Sequence, residues 1–600
     1  MNKSTLTEPR EPFQSTISRR AFLRRSLMLF SGSVAGASLL SACWPFGDDD
    51  DDEDDDDVES TPTPGDDAEE VEPEPDPEPT PTPEPTPTPA PTATPTPEPV
   101  PDEPQIGGTL RIAIPADPFS LHPNADESVV NWTVMNQLYD ALIEVDDQFE
   151  PVPVLAERYE ISEDGSEYVF TIPDDVEFHN GDLLSASDVA YTHEWMRVPE
   201  NGGARSFYYE RVEAIEAEDA TTVIFRMSGP DGTLLRRAAS TFIVSEEYHE
   251  EFGSERQSSE PVGTGPFALD GWNRGQSVSL VRFLDYHGSS SYLDRIEFEV
   301  VESDSGRRSA LENGQIDVAW GLPLDDDLEL AESEDVQSFE TTNLDCMHIA
   351  LNNEHPILSD QRVRLAMQHA IDRSALVDIV YQGAATEAQS HLSPALFYWH
   401  LDLFEADTSR TDELLDAAGW IRDDDDDIRE KDGERLTFTC IAPDGQDPRA
   451  DGAEAVADML AAAGIEMVVE TAPLNETVNE MRAGELDAAL FNWTYGGWLG
   501  EPDGRTTLLT GAFNNFSQFS SIQVDNVLYQ GVAETDPEGR RTMYRNLQER
   551  IIEQSPFLFL VFPQSWYHAT IRVQGLPESV RWGPRLLQKL NECWLFDSDA

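Results

Sequence analysis

The chain has 600 residues, with 117 Asp and Glu against 39 Lys and Arg, and a formal net charge of −78 at pH 7. That length supports more than one hydrophobic core. The charge excludes a nucleic-acid binder, which needs a basic face, and reads as a solvated acidic coat or a generally acidic soluble protein. The four cysteines, Cys43, Cys346, Cys440 and Cys593, form no C-x-x-C pair, so no structural zinc site is expected.

Residues 1–43 read as an export leader. Ser18-Arg19-Arg20-Ala21-Phe22-Leu23 matches the twin-arginine pattern, and a small-residue apolar run from Leu27 to Ala42 follows. The run is too short and too rich in Gly and Ser for a membrane span and fits a signal peptide. Leu40-Ser41-Ala42-Cys43 resembles a bacterial lipobox, which implies a lipid on Cys43 and an anchor on the outer face of the cytoplasmic membrane, in a periplasm or at the cell surface. Residues 44–104 hold an Asp/Glu run and then Pro-Thr and Pro-Glu repeats. Like charges repel and little apolar surface is available, so a disordered, extended stalk is expected. Consecutive Asp without a loop glycine reads as solvated rather than as a calcium site.

The body begins with a glycine-led strand, Gly107 to Ile114, and a loop, Pro115 to Pro123. A helix is predicted over Val129 to Ile143, ending in LYDALIE, followed by PVPVLAERY at 151–159. Strands are predicted at Tyr168–Ile172, Thr222–Met227, Ser277–Phe283 and Arg295–Val301, and a helix at Gly306–Asn313. Between the first two strands stands Val176-Glu177-Phe178-His179-Asn180-Gly181, with Ser187-Asp188-Val189 after it. His179 lacks partner ligands at metal spacing and reads as a turn residue of a hairpin. In Pro261-Val262-Gly263-Thr264-Gly265-Pro266-Phe267, two glycines permit a tight path whose N–H groups face a cavity, or a purely structural turn. A phosphate loop is ruled out by the missing Lys-Ser/Thr and helix.

Met347–Leu351 is a strand closed by Asn352 and Asn353. One long helix is predicted from the Asp360 cap to Gly383, with Val363, Ala366, Met367, Ala370, Ile371, Leu376 and Ile379 on its apolar stripe. Thr411–Trp420 is a short helix, and Asp423–Asp427 a polar, solvated loop. From Leu436 to Trp493 strand, helix, strand, helix and strand alternate. That pattern predicts parallel pairing with right-handed crossovers and a ligand outside the carboxyl ends of the strands. The loop just after the last strand is Thr494-Tyr495-Gly496-Gly497-Trp498. A helix over Pro537–Gln554 and a buried strand over Phe557–Phe562 complete the pattern.

These phrases together resemble the family 5 extracellular solute-binding proteins, the peptide- and nickel-type receptors of ABC importers. The similarity rests on the aLN strand at 350–352, D-x-R-V-R-x-A…A-I-D-R at 360–373, FHNG…SDV at 178–189, PVGTGPF at 261–267 and LLDAAGW at 414–420. It spans residues ~106–600. The resemblance implies a two-lobed α/β periplasmic-binding-protein-like fold of the class II type. Lobe I would cover 106–345, with an extra subdomain at about 150–255, lobe II 346–564, and 565–600 would return to lobe I. It implies a monomer that closes on a small solute, most often an oligopeptide, with sugar or a metal chelate as alternatives. The solute would pass to ABC permease and ATPase subunits, with no cofactor, resident metal or catalysis.

The implied ligand set is Trp493, Tyr495, Trp498, Asn352, Thr264, Asn514 and Asp503. The aromatic members present flat faces for a sugar, another apolar group or a cation; core packing or lobe closure is their competing role. Peptide-binding relatives carry an acidic residue shortly after the tryptophan. Here Tyr495-Gly496-Gly497 occupy that place, and Asp503 is the substitute. The competing function is an exported acidic hydrolase, a glycosidase or peptidase, but no H-E-x-x-H or G-x-S-x-G motif supports it.

Overall fold

The computed structural model describes residues 103–596, apart from 125–127, 399–404, 424–425, 445–447, 496–498 and 579–582. The leader, the stalk, Cys43 and Trp498 lie outside the described residues.

Strand Phe557–Thr570, 14 residues long, ties the fold together. Its first part pairs antiparallel with Asp345–Leu351, and its second part, Gln564–Thr570, with Val336–Thr342. Leu558, Leu560 and Val561 belong to one hydrophobic core. Tyr567 and Ala569 belong to another, with Leu110, Ile112, Val278 and Phe298. One strand therefore serves both lobes. Sequence periodicity ends this strand at Phe562, because Pro563 has no N–H to donate. The strand continues through it: the Pro563 carbonyl accepts from the Asn343 amide at 3.1 Å. The neighbouring link between lobes is also short, since Val336–Thr342 runs into Asp345–Leu351 across only Asn343 and Leu344.

The second-lobe strands run Glu466–Ala472, Thr437–Pro443, Ala488–Thr494 and Asp345–Leu351 across the sheet, up to the shared strand. Beyond it lie Val318–Trp320, Thr109–Ile114, Arg295–Val300, Ser277–Arg282 and Phe267–Asn273. Thr437–Pro443 is parallel to both of its flanks, as the alternating pattern predicts. A separate antiparallel sheet, Arg158–Ile161, Glu167–Thr171, Thr222–Met227 and Val212–Ala217 in spatial order, forms the added module of the first lobe.

Three local expectations are corrected. The first helix spans only Val129–Leu138. Asp140, just past its end, is held by Thr264 at 3.1 Å and His287 at 3.0 Å, so the chain turns away there. The central helix is two, Gln361–Ala370 and Arg373–Ile379. Asp372 leaves the helical conformation and caps the second by accepting from the Ala375 amide at 3.1 Å. Asp423 and Asp426–Asp427 are not in a free loop but in strands of a small sheet, Ile421–Asp423, Asp426–Lys431 and Glu434–Arg435. Buried Arg429 pins that sheet down through the Trp420 carbonyl at 2.9 Å and Asp416 at 2.6 Å.

The arginines of the central motif are buried, which periodicity alone does not reveal. Arg364 donates to the carbonyls of Leu358, Ser359, Gln554 and Ser555. Arg373 donates to those of Ala388 and Phe559 at 2.9 and 2.8 Å, and to Gln368 and Ile371. Both fasten the central helices to the start of the shared strand and its neighbouring segments.

Candidate functional site

Parallel strands Thr437–Pro443 and Glu466–Ala472 and strand Ala488–Thr494 all point their carboxyl ends one way. At that end Thr494 stands opposite Asp345, while Leu351 stands opposite Ala488 at the other. This register separates the sequence-derived set. Asn352 lies a whole strand away from Trp493 and Tyr495, roughly 20 Å at the ~3.3 Å rise of a strand. Its amide donates to the carbonyls of Leu486 and Gly484 at 2.9 and 3.2 Å. The structure gives it a turn to hold and does not bring it to the other candidates.

Trp493 is half-buried, edge-on to Phe516 at 5.7 Å. Tyr495 is buried among His348, His391 and Phe557, with ring centroids 5.7, 5.1 and 6.5 Å away. Burial pushes His348 down to about 4 and His391 to about 3, so both imidazoles are neutral at pH 7. Both nitrogens of His391, and both amide atoms of Gln389, lack a hydrogen-bond partner.

Burial raises the Asp345 carboxyl to about 7 from an ordinary 3.8, and Oδ1 accepts from the Thr494 hydroxyl. The folded state thus holds this proton more tightly than the unfolded chain between those two values. Its contribution to stability is full at low pH and declines as pH rises towards 7. Asp345→Asn is expected to remove that decline. In urea titrations, the variant should gain on the parent between about pH 5 and about pH 8; parallel curves would disprove the assignment.

Thr264 is fully buried, its hydroxyl donating to Asp140. Its flanking glycines do not face a cavity. A Cβ at Gly263 would lie 2.1 Å from the Leu138 carbonyl oxygen, and one at Gly265 2.5 Å from the Leu138 carbonyl carbon. The glycines let the loop lie against the end of helix Val129–Leu138. His179 holds the same loop, accepting from the Gly263 amide at 3.3 Å and meeting the Gly265 carbonyl at 3.0 Å. Asn514 accepts from Arg482 at 2.9 Å. The buried amide of that loop is its neighbour Asn515, which bonds Leu509, Phe519 and Ser517.

Asp503 is the largest departure from its expected role. Its buried carboxylate accepts from Arg237 at 2.6 Å and Arg505 at 2.8 Å, and Arg505 also pairs with Glu210. Burial alone would raise this carboxyl, but the Arg505 hydrogen bonds and the Arg237 charge outweigh it and hold it below the usual range. Arg237 belongs to helix Leu234–Ala238. Asp503 therefore fastens the loop after the last parallel strand to the opposite wall. Nearby, the Gly232 amide donates to the Val532 carbonyl at 2.9 Å, and a Cβ at Gly232 would sit 1.9 Å from the Glu534 carbonyl oxygen. The two sides meet backbone to backbone.

Beside this contact lies a narrow cavity of about 10 Å³, room for about one water. Trp132, Asn136, Glu144, Phe242 and Arg585 line it from the first lobe, and Leu499 from the loop that follows Tyr495. The rings of Trp132 and Phe242 lie 5.1 Å apart. Burial lifts the Glu144 carboxyl above its ordinary range against the pull of Lys589. Sequence reasoning found the loop but none of the first-lobe lining. Those residues are scattered from 132 to 585 in no motif, and only the fold collects them.

The comparisons agree with this architecture. The family model of bacterial extracellular solute-binding proteins, family 5 (middle), matches residues 150–516. The oligopeptide-binding protein AppA of Bacillus subtilis (strain 168) is 25% identical over 511 residues, covering 82% of this chain and 92% of that protein. Heme-binding protein A of Haemophilus influenzae is 26% identical over 477 residues, 74% of this chain and 85% of that one. The crystal structure of NikZ from Campylobacter jejuni in complex with Ni(L-His) superposes with a TM-score of 0.70 at 21% identity, over 81% of this chain and 99% of that chain. At that identity the superposition speaks for the fold alone. The matched stretch and the two cores joined by shared strands lead to one assignment: this chain belongs to family 5 of the bacterial extracellular solute-binding proteins, the extracytoplasmic receptors of ABC importers.

Proposed function

We propose that this receptor captures short peptides between its lobes and releases them unaltered to an ABC permease. The observation that carries the reading is the pair of hydrophobic cores served by one strand, Phe557–Thr570, which leaves two lobes able to close on a solute. The peptide reading is supported by the likeness to AppA. The haem and nickel–histidine relatives make other cargoes the competing outcomes. Closure is hinge motion about the shared strands near 343–345 and 563–564, which we take as the lobe boundaries. Trp493 and Tyr495 support the second-lobe wall. The protein is tethered through a lipid on Cys43 after twin-arginine export and acts as a monomer, with the residue 44–104 segment as its stalk.

Native mass spectrometry of the protein purified from its own membranes tests the reading. Intact short peptides in stoichiometric amount are expected, and a pool of such peptides should raise the melting temperature of the stripped protein. At 100 times Kd the gain is ~2.7 kcal/mol. A copurifying sugar or metal chelate would replace the peptide. Cleaved products accumulating with time would overturn the receptor. Cys43→Ser is expected to release the protein from the membrane fraction.

A further inference from the structure

We infer that segment 388–398 is a strap beside the hinge whose buried, unpartnered side chains, Gln389 and His391, work against the closed form that Tyr398 at its end holds shut; the inference rests on the hinge motion of the proposed receptor. The segment follows strand Ala385–Glu387, which pairs with the shared strand, and has no strand or helix of its own. It is fastened along its length. The Ser393 hydroxyl donates to the Asn343 carbonyl at 3.2 Å, at the short link between strands Val336–Thr342 and Asp345–Leu351. Gln548 of helix Pro537–Gln554 accepts from the Ser390 hydroxyl at 3.0 Å and donates to the Tyr398 carbonyl at 2.9 Å. Two arginines from distant parts of the chain hold the Tyr398 side chain. Arg540 donates to its hydroxyl at 3.0 Å, and the Arg236 guanidinium lies 5.7 Å from the centre of its ring. Arg236 also donates to the Phe149 carbonyl at 3.0 Å. Tyr398 therefore belongs to the same contact as the neighbouring pair, Arg237 and Asp503.

Among these fastenings stand polar groups without partners. Gln389 and His391 are 2% and 0% exposed, and neither amide atom of Gln389 nor either ring nitrogen of His391 has a hydrogen-bond partner. The neighbours of His391 are rings, Tyr495 at 5.1 Å and Phe559 at 6.4 Å. A buried polar group left unmade is costly, whereas an apolar group of the same shape in its place can be neutral or stabilising. Closed, the strap carries that cost; open, water reaches both side chains and removes it. Tyr495 begins the loop that brings Asp503 to the opposite wall, so the movement that parts Arg236 from Tyr398 also loosens the packing over His391. The two effects oppose each other, which keeps the open and closed forms close in free energy and lets a bound solute shift the balance.

The test is hydrogen exchange, followed by mass spectrometry, on the full-length protein. The Gly232 amide donates across the contact to the Val532 carbonyl, so exchange in 230–238 reads how often the contact opens. Exchange in the shared strand Phe557–Thr570 reads unfolding. His391→Phe and Gln389→Leu are each expected to slow exchange in 230–238 by roughly 10-fold without speeding the strand. Tyr398→Leu is expected to speed 230–238 by a similar factor, and the strand less. Slowing by either of the first two variants, together with speeding by the third, upholds the strap. Any other pattern overturns it. Without slowing, the polar atoms are satisfied in the closed form, by buried water or by one another; without speeding, Tyr398 holds nothing shut. A pool of tri- to pentapeptides should slow 230–238 in the wild type. If the pool has no effect, the peptide cargo falls, and the variants still decide the strap.

Discussion

Replacing Asp503 with alanine is expected to lower the free energy of unfolding by about 3–5 kcal/mol. The carboxylate is shared by Arg237 and Arg505, and all three side chains are at least nine-tenths buried. Arg505 would keep Glu210, whose side chain is 41% exposed. Arg237 would keep Asp231 at 3.8 Å, too far for a hydrogen bond. Two guanidinium charges would thus lose their main compensation away from water, and the cost lies in the charges left behind rather than in the pair removed. The contact joins the loop after the last parallel strand to helix Leu234–Ala238, so the variant should also favour the open form. Urea unfolding measures the first effect and small-angle scattering the second. A loss below about 1 kcal/mol, typical of an exposed pair, would show that water reaches this network and that Asp503 does not fasten the two sides.

Arg373→Met is expected to cost about 3 kcal/mol or more. Methionine fills most of the volume and supplies no donor. The carbonyls of Ala388 and Phe559 would each lose a partner now at 2.9 and 2.8 Å, and Gln368 Oε1 would lose its own. Each buried group left unmade costs about 1–3 kcal/mol. The damage falls beside the shared strand, because Phe559 belongs to it and also packs near His348 and His391. Retention of the parent's midpoint in urea would mean that these carbonyls find other donors and that the arginine of this motif is not the fastening point.

Much of the second lobe is legible in the sequence. The expected strands at 436–441, 465–470 and 486–493 are found at Thr437–Pro443, Glu466–Ala472 and Ala488–Thr494. The expected helix over Pro537–Gln554 has those bounds. These elements alternate apolar and polar residues at one clear period, and their ends carry Gly or Pro. Reading fails where a polar residue turns inward. Asp372 caps a second helix where the apolar stripe reads as continuous, and Pro563 sits inside a strand that local rules would end. In both cases tertiary hydrogen bonds, from Arg373 and from the Asn343 amide, override the local preference.

The sequence by itself determined the class of molecule: the solute-binding family, the two-lobed α/β body, and the loop at the carboxyl end of strand 488–494. Each of these is written in neighbouring residues, as composition, period or motif. Only the tertiary structure decided which of the candidate side chains stand together. Asp503 turned out to be held by two arginines and Asn352 to lie at the far end of its strand, while Asn136, Glu144 and Arg585 came together from distant parts of the chain. A cleft between lobes is built from residues hundreds of positions apart. Their shared orientation is fixed by strand register and by buried ion pairs, and neither is a property of any local stretch.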